Sequence, residues 1–201
     1  MLVFWKEKLV VLAVPKTGTT ALATALAPHA DILVNDPPEL KHAPVYRYNR
    51  FFRPMFEKAC GVENLDIMAV MREPVSWLGS WYRYRQRDFL RGKPTSTAGL
   101  SFDEFILGYL EDEKPAFARV GSQAKFLEPR PNGTQAKYIF RYEAPKETTR
   151  FLEDRLDITL DLGRENISPA RNLDLSPHVE AKLREKYAED FALYESLGTS
   201  K

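Results

Sequence analysis

The sequence is short of several things, and each shortage closes off a class of protein. Cys60 is the only cysteine, which rules out an intrachain disulfide framework and points to a reducing compartment, the cytoplasm. The thiol itself reads as a small buried hydrophobe. Neither sign of charge is in excess: 29 Lys and Arg against 28 Asp and Glu leave a net charge of +1. No polyanion partner follows from that balance, and nucleic-acid binding is not expected. The nearest thing to a basic cluster, Arg83, Arg85 and Arg87 in RYRQR, reads as the solvated face of a helix. No apolar run is long enough for a membrane span, and the opening MLVFWKEKLVVLAV is broken by Lys6, Glu7 and Lys8 without a small-residue cleavage site. Neither a membrane span nor a signal peptide is therefore expected, and the first core strand should lie close to the amino terminus. Repeats and low-complexity tracts are also missing, and a length of 201 residues suits one domain, 1–201, with a substantial core.

What is present begins with an apolar strand, LVVLAV (9–14), that runs into the turn PKTGTT (15–20) and out into a small-residue helix, ALATAL (21–26). A strand feeding a glycine-containing turn and then a helix aims unpaired backbone N–H groups and the positive end of the helix dipole at one point, so the ligand there should be an anion. The turn differs from the ATP-binding pattern G-x-x-x-x-G-K-[ST]. Gly18 is followed by Thr19 rather than Lys, Ala13 stands at the first glycine position, and the cation has moved forward to Lys16. A second buried strand, IMAVM (67–71), ends in Arg72, where a Mg²⁺-dependent kinase needs a carboxylate.

Further along, DPP (36–38) marks a loop and VYRYNRFFRPMFEKA (45–59) a helical segment interrupted at Pro54. Tyr46, Tyr48, Phe51 and Phe52 in it read as a core stripe, with an acceptor pocket as the alternative. A helix from Pro74 to about Leu90 follows, then a loop at 92–99, a helix opened by the capping box SFDE (101–104), a strand KYIFRYE (137–143) and a helix KETTRFLEDRL (146–156). The last helix starts at Ser176 and Pro177, with Val179, Leu183, Tyr187, Phe191 and Tyr194 on one apolar face. Strands alternating with helices predict an α/β fold: a single-domain, P-loop-like, three-layer arrangement with a central parallel sheet flanked by helices, and ligands at the carboxyl ends of the strands.

PKTGTT resembles the phosphosulfate-binding loop of sulfotransferases that use 3′-phosphoadenosine-5′-phosphosulfate (PAPS), written PK-[ST]-G-[TS]-[TS]. REPVSWLGS resembles the family's second signature, giving Arg72, Pro74 and Ser80 in its register. The segments GSQAKFLEP (121–129) and 166–197 are similar to bacterial and carbohydrate-type members. The resemblance implies transfer of a sulfuryl group from PAPS to a hydroxyl or amine acceptor of small-molecule, lipid or carbohydrate type, without an essential metal. It implies cofactor binding by Lys16, Thr17, Gly18, Thr19 and Thr20, with Arg72 and Ser80 on the 3′-phosphate. Lys16 would stabilise the leaving phosphate, helped by threonine hydroxyls. For the proton acceptor, His42 in PELKHAP, read as a loop, is the first choice, Glu39 the competitor, and Lys41 a contact of the sulfuryl group. His29 and His178 read as surface residues, and Gln123 as a helix-surface amide. Cytosolic members carry a Trp after the loop and a late RKG-type triplet; this chain has Ala21 and no such triplet, so adenine falls to Trp77, Trp81 or Tyr82. The competing readings are a degenerate P-loop kinase or NTPase, and a non-catalytic nucleotide-binding module.

Overall fold

Five short strands form one mixed sheet in the order β3-β1-β2-β4-β5. They are β1 (Leu2–Phe4), β2 (Leu9–Val11), β3 (Ile32–Leu33), β4 (Asp66–Met71) and β5 (Tyr138–Arg141). The computed structural model describes residues 1–61, 65–160 and 173–197. Strands β2, β4 and β5 run parallel, with Val10 opposite Ile67 and Val70 opposite Phe140. The expected all-parallel sheet is thereby corrected: β1 pairs antiparallel with β2 and with β3, forming an edge. The cause is the charged Trp5–Lys8 turn, too short for a crossover helix, which allows only a hairpin between the two apolar triplets.

The chain divides into two compact units. The first, Met1–Arg72 with Gln123–Ile167, contains the whole sheet. Alternation along its strands sends Leu2, Phe4, Leu9, Val11, Met68 and Val70 to one face, where they pack with Leu22 and Leu26 of helix α1 (Thr19–Leu26). On the opposite face Val3, Val10, Ile67, Ala69 and Met71 are equally buried, so both faces are covered, a pattern compatible with three layers. Two short helices follow β3, α2 (Pro38–Lys41) and α3 (Val45–Arg47). Next comes a single π turn, Tyr48–Phe52, in which the Arg53 N–H reaches the Tyr48 carbonyl, and then α4 (Arg53–Cys60). The expected interruption at Pro54 takes this form: the proline sits in the first turn of α4, where its missing N–H costs nothing. Cys60 is exposed at the end of α4, against the expectation of burial, because the apolar side of that helix is spent on Phe56.

The second unit comprises Glu73–Ser122 and Ser168–Lys201. Helix α5 (Pro74–Arg85) is opened by the Glu73 carboxylate, which accepts from the Val75 and Ser76 N–H groups. It stops short of Leu90, followed by a 3₁₀ turn at Asp88–Leu90. The capping box of α6 (Phe102–Leu110) is complete, each partner bonding the other's backbone. Arg85 is buried rather than solvated: its guanidinium donates to the carbonyls of Ala116 and Arg119 at 2.9 and 3.0 Å.

In the first unit a short helix α7 (Gln123–Leu127) precedes β5, and α8 (Pro145–Leu156) follows it. The expected last helix is two in the second unit, α9 (Pro177–Lys186) and α10 (Ala188–Ser196), separated where Tyr187 leaves helical geometry at φ −116°. Ser176 precedes α9 but gives no side-chain cap; its hydroxyl and N–H both donate to the Asp103 carboxylate.

Candidate functional site

Because β2, β4 and β5 are parallel neighbours, their carboxyl ends share one edge of the first unit's sheet. The turn 15–20 leaves β2 there, Arg72 directly follows β4, and Tyr142 directly follows β5. The ladder continues past the assigned strands, with the Leu12 N–H on the Met68 carbonyl and the Tyr142 N–H on the Met71 carbonyl, each at 2.8 Å. The edge is therefore held in register up to the residues that follow the strands.

The turn after β2 has left-handed backbone at Lys16 (φ 66°) and Gly18 (φ 74°). Left-handed residues in such turns build concavities lined with N–H groups. Gly18 is also the N-cap of α1, and no side chain caps that helix. Its first N–H groups are left to an incoming acceptor. The Thr19 and Thr20 hydroxyls have no partner among the described residues. Thr17 is placed otherwise: it is buried, and its hydroxyl donates to the Val14 carbonyl at 2.9 Å, closing the turn from within.

One ring joins the two motifs. A Cβ on Gly18 would lie 3.1 Å from Cε2 of Tyr142, so the Tyr142 ring packs directly on the turn. The Arg72 guanidinium stacks on the same ring, 4.4 Å from its centroid, a cation–π contact. Arg72 is 7 % exposed, and Gln123 is 0 % exposed. Gln123 is no surface amide: its Oε1 accepts from the Arg72 N–H at 2.9 Å and its Nε2 donates to the Arg72 carbonyl at 2.7 Å. The backbone of Arg72, beyond the end of the ladder, thus finds in one side chain the partners a neighbouring strand would have supplied.

His42 caps the carboxyl end of α2, a helix where a loop was expected, and is half-buried. Its Nδ1 lies 2.7 Å from the Ala13 carbonyl at the start of the turn. A carbonyl can only accept, so Nδ1 carries the proton and Nε2 keeps its lone pair. Burial is the main force holding the imidazole pKa below its ordinary value. The Ala13 bond opposes this, and Lys41, the α-ammonium of Met1 and Lys16 add to it. Lys41, the Met1 α-ammonium and Lys16 are all cations, while Glu39 stands exposed on α2. Lys41 lines a notch with Ala13 and Thr19.

Ser80 lies in the second unit, buried on α5. The aromatics expected to hold adenine belong to the packing of that unit. Trp77 is buried against Trp81, and Tyr82 donates its hydroxyl to the Leu100 carbonyl while its ring meets Phe102 and Phe105. His29 and His178 are exposed. Of the aromatic stripe on the α3–α4 segment, Tyr48 is buried but Tyr46 and Phe51 are exposed. Residues 166–172, part of the similar carboxyl-terminal stretch, lie outside the described residues. Among the described residues no three His, Cys, Asp or Glu side chains gather as a metal site, and no helix is long and apolar enough to cross a membrane.

Sequence reasoning did not single out Tyr142 and misread Gln123. An aromatic directly after the third parallel strand was the available signal for the first; nothing local marks the second. Compared with known proteins, the chain matches no family model and no curated protein.

Proposed function

We propose that this protein is a PAPS-dependent sulfotransferase on a P-loop-like α/β scaffold, acting in the cytoplasm on a hydroxyl or amine acceptor. The observation that carries the reading is the Tyr142 ring, with the Gly18 turn against it and the Arg72 guanidinium stacked on it. An uncapped helix start and a planar guanidinium at one sheet edge suit the two phosphate-bearing ends of a bisphosphorylated adenosine. A kinase would need a carboxylate for Mg²⁺ where this chain has Arg72.

In this reading Lys16, with the N–H groups of Gly18, Thr19 and Thr20, neutralises charge growing on the departing 5′-phosphate. Thr19 and Thr20 add hydroxyl donors, while Thr17 shapes the turn. Arg72 holds the 3′-phosphate; a share for Ser80 belongs to the same proposal. His42 Nε2 takes the acceptor's proton as the acceptor atom bonds to sulfur and the bond from sulfur to the bridging phosphate oxygen breaks, its electron pair leaving with 3′,5′-diphosphoadenosine. Fixed by Ala13, His42 is favoured over Glu39 as base, and Lys41, which lines a notch with Ala13 and Thr19, is the proposed contact for the sulfuryl oxygens. The sulfuryl group carries less charge than a phosphoryl group, so the reading requires no metal.

Calorimetric titration with 3′,5′-diphosphoadenosine, ADP and ATP, each with and without Mg²⁺, tests it. Tight binding of the bisphosphate alone, indifferent to Mg²⁺, is expected. Preference for ATP with Mg²⁺ would instead establish the kinase reading. Bisphosphate binding without PAPS turnover on any acceptor, and without effect of His42→Ala, would indicate a non-catalytic module.

A further inference from the structure

The segment from α3 to α4 has two sides. Val45, Tyr48 and Phe56 are buried, while Tyr46 is 44 %, Phe51 56 % and Met55 48 % exposed. The π turn sets this up. With its i→i+5 bonding it brings residues five apart, Tyr46 and Phe51, toward one side, and Phe51 and Met55, four apart, are neighbours by ordinary helical spacing. Between and beside them stand Arg50 and Lys58, both exposed. Arg50 lies over the Phe51 ring, 5.4 Å from its centroid, and neither cation pairs with an acid among the described residues. The segment's one acidic residue, Glu57, is taken by Arg53 at 2.6 Å. Arg47 is anchored to the Glu39 carbonyl and the Tyr46 hydroxyl, which steadies the outer face against α2.

Large apolar side chains interleaved with cations that pair with no acid among the described residues, on an exposed helix face, are the composition of helices that lie in the plane of a lipid interface. The apolar groups enter the acyl boundary and the cations meet anionic headgroups. We infer that the Tyr46, Arg50, Phe51, Met55 and Lys58 face is a docking surface for an anionic lipid bilayer, which holds the protein at the membrane without crossing it. His42 lies three residues before α3 in the chain, and Arg47 of α3 is tied back to the Glu39 carbonyl of α2.

Co-sedimentation with phosphatidylcholine vesicles, with and without 30 mol% phosphatidylglycerol (about a third anionic, enough to set a surface potential), tests the inference. No nucleotide is added, so the result is independent of the sulfotransferase reading. Binding to the anionic vesicles only, weakened by salt, is expected. Arg50→Gln with Lys58→Gln should reduce partitioning about 25-fold, and Phe51→Ser with Met55→Ser should abolish it; all four sites are exposed, so folding is retained. Equal binding to neutral vesicles, no sedimentation with either, or unchanged partitioning of both double variants overturns the inference. So does self-association that Phe51→Ser removes in the absence of lipid, which would make the face a contact between copies of this chain.

Discussion

Gln123 offers the sharpest test of how the site is built. Replacing it with Leu keeps the volume and removes both hydrogen bonds to the Arg72 backbone. Both groups belong to a buried residue, and losing this partner costs each of them about 1–3 kcal/mol, so a total loss of about 2–6 kcal/mol is expected. For a chain of this size that corresponds to a fall in Tm of roughly 4–24 °C. Urea unfolding followed by far-UV circular dichroism reads the stability, and calorimetry on the surviving fold reads the ligand. Since Gln123 aims the residue proposed to hold the 3′-phosphate, affinity for 3′,5′-diphosphoadenosine should drop while affinity for ADP is spared. Gln123→Glu separates the two bonds. An ionised Glu can accept from the Arg72 N–H but has nothing to donate to the carbonyl, whereas the protonated acid can do both. The folded state therefore favours protonation and raises that carboxyl's pKa, so the variant's stability is present at low pH and lost as pH rises through the folded value. Should Gln123→Leu unfold within about 0.5 kcal/mol of wild type, or lose both nucleotides equally, the clamp is not what orients Arg72.

The turn, the base and the core each give a further prediction. Lys16 holds left-handed backbone at φ 66°, so Lys16→Gly should be at least as stable as Lys16→Ala by about 1 kcal/mol. Both should lose about a hundredfold or more in kcat; greater stability of the Ala variant in parallel melts, or normal turnover in either, would contradict this. For His42, a depressed pKa means the base form persists into acid, so the acidic limb of kcat/KM should lie below the ordinary histidine value of about 6.5. Lys41→Gln removes a cation acting on the ring and should move that limb to higher pH; a shift the other way would exclude His42 as the group observed. Thr148 is buried in α8 with its hydroxyl unpartnered, so the isosteric Thr148→Val should be neutral or stabilising; a clear loss of Tm would show that its oxygen is bonded after all.

The parts legible in the sequence are those governed by local rules. The apolar run, glycine turn and helix of 9–26 follow from hydrophobicity and turn chemistry, the capping box at 101–104 from two side chains three apart, and β4 and β5 from apolar β-rich runs. The losses are equally particular. Strand β1 has three residues followed by a charged turn, and only pairing with β2 and β3 makes it a strand. The break at Tyr187 leaves the apolar period of Val179, Leu183 and Phe191 intact, so the pattern runs through a change in one residue's backbone. Arg85 is buried within the second unit because the carbonyls of Ala116 and Arg119 accept from its guanidinium, which no count of charges reveals.

The same distinction explains why half the site was readable. Lys16, Gly18 and Arg72 lie in segments whose spacing is itself the signal, since a turn with left-handed residues and a strand end are local objects. Tyr142 and Gln123 stand 70 and 51 residues beyond Arg72 in the chain, and their residue types are ordinary where they stand. What selects them is geometry created by folding. The third parallel strand ends beside the first two, leaving a flat ring between turn and guanidinium, and the backbone of the residue after β4 is met in both directions by one amide. A carboxylate or a lysine at position 123 supplies only one of those directions at neutral pH, so the requirement is for glutamine or asparagine chemistry at that distance. A search for this arrangement in other chains should therefore look for an amide buried against the residue that follows a central parallel strand, rather than for any run of sequence around it.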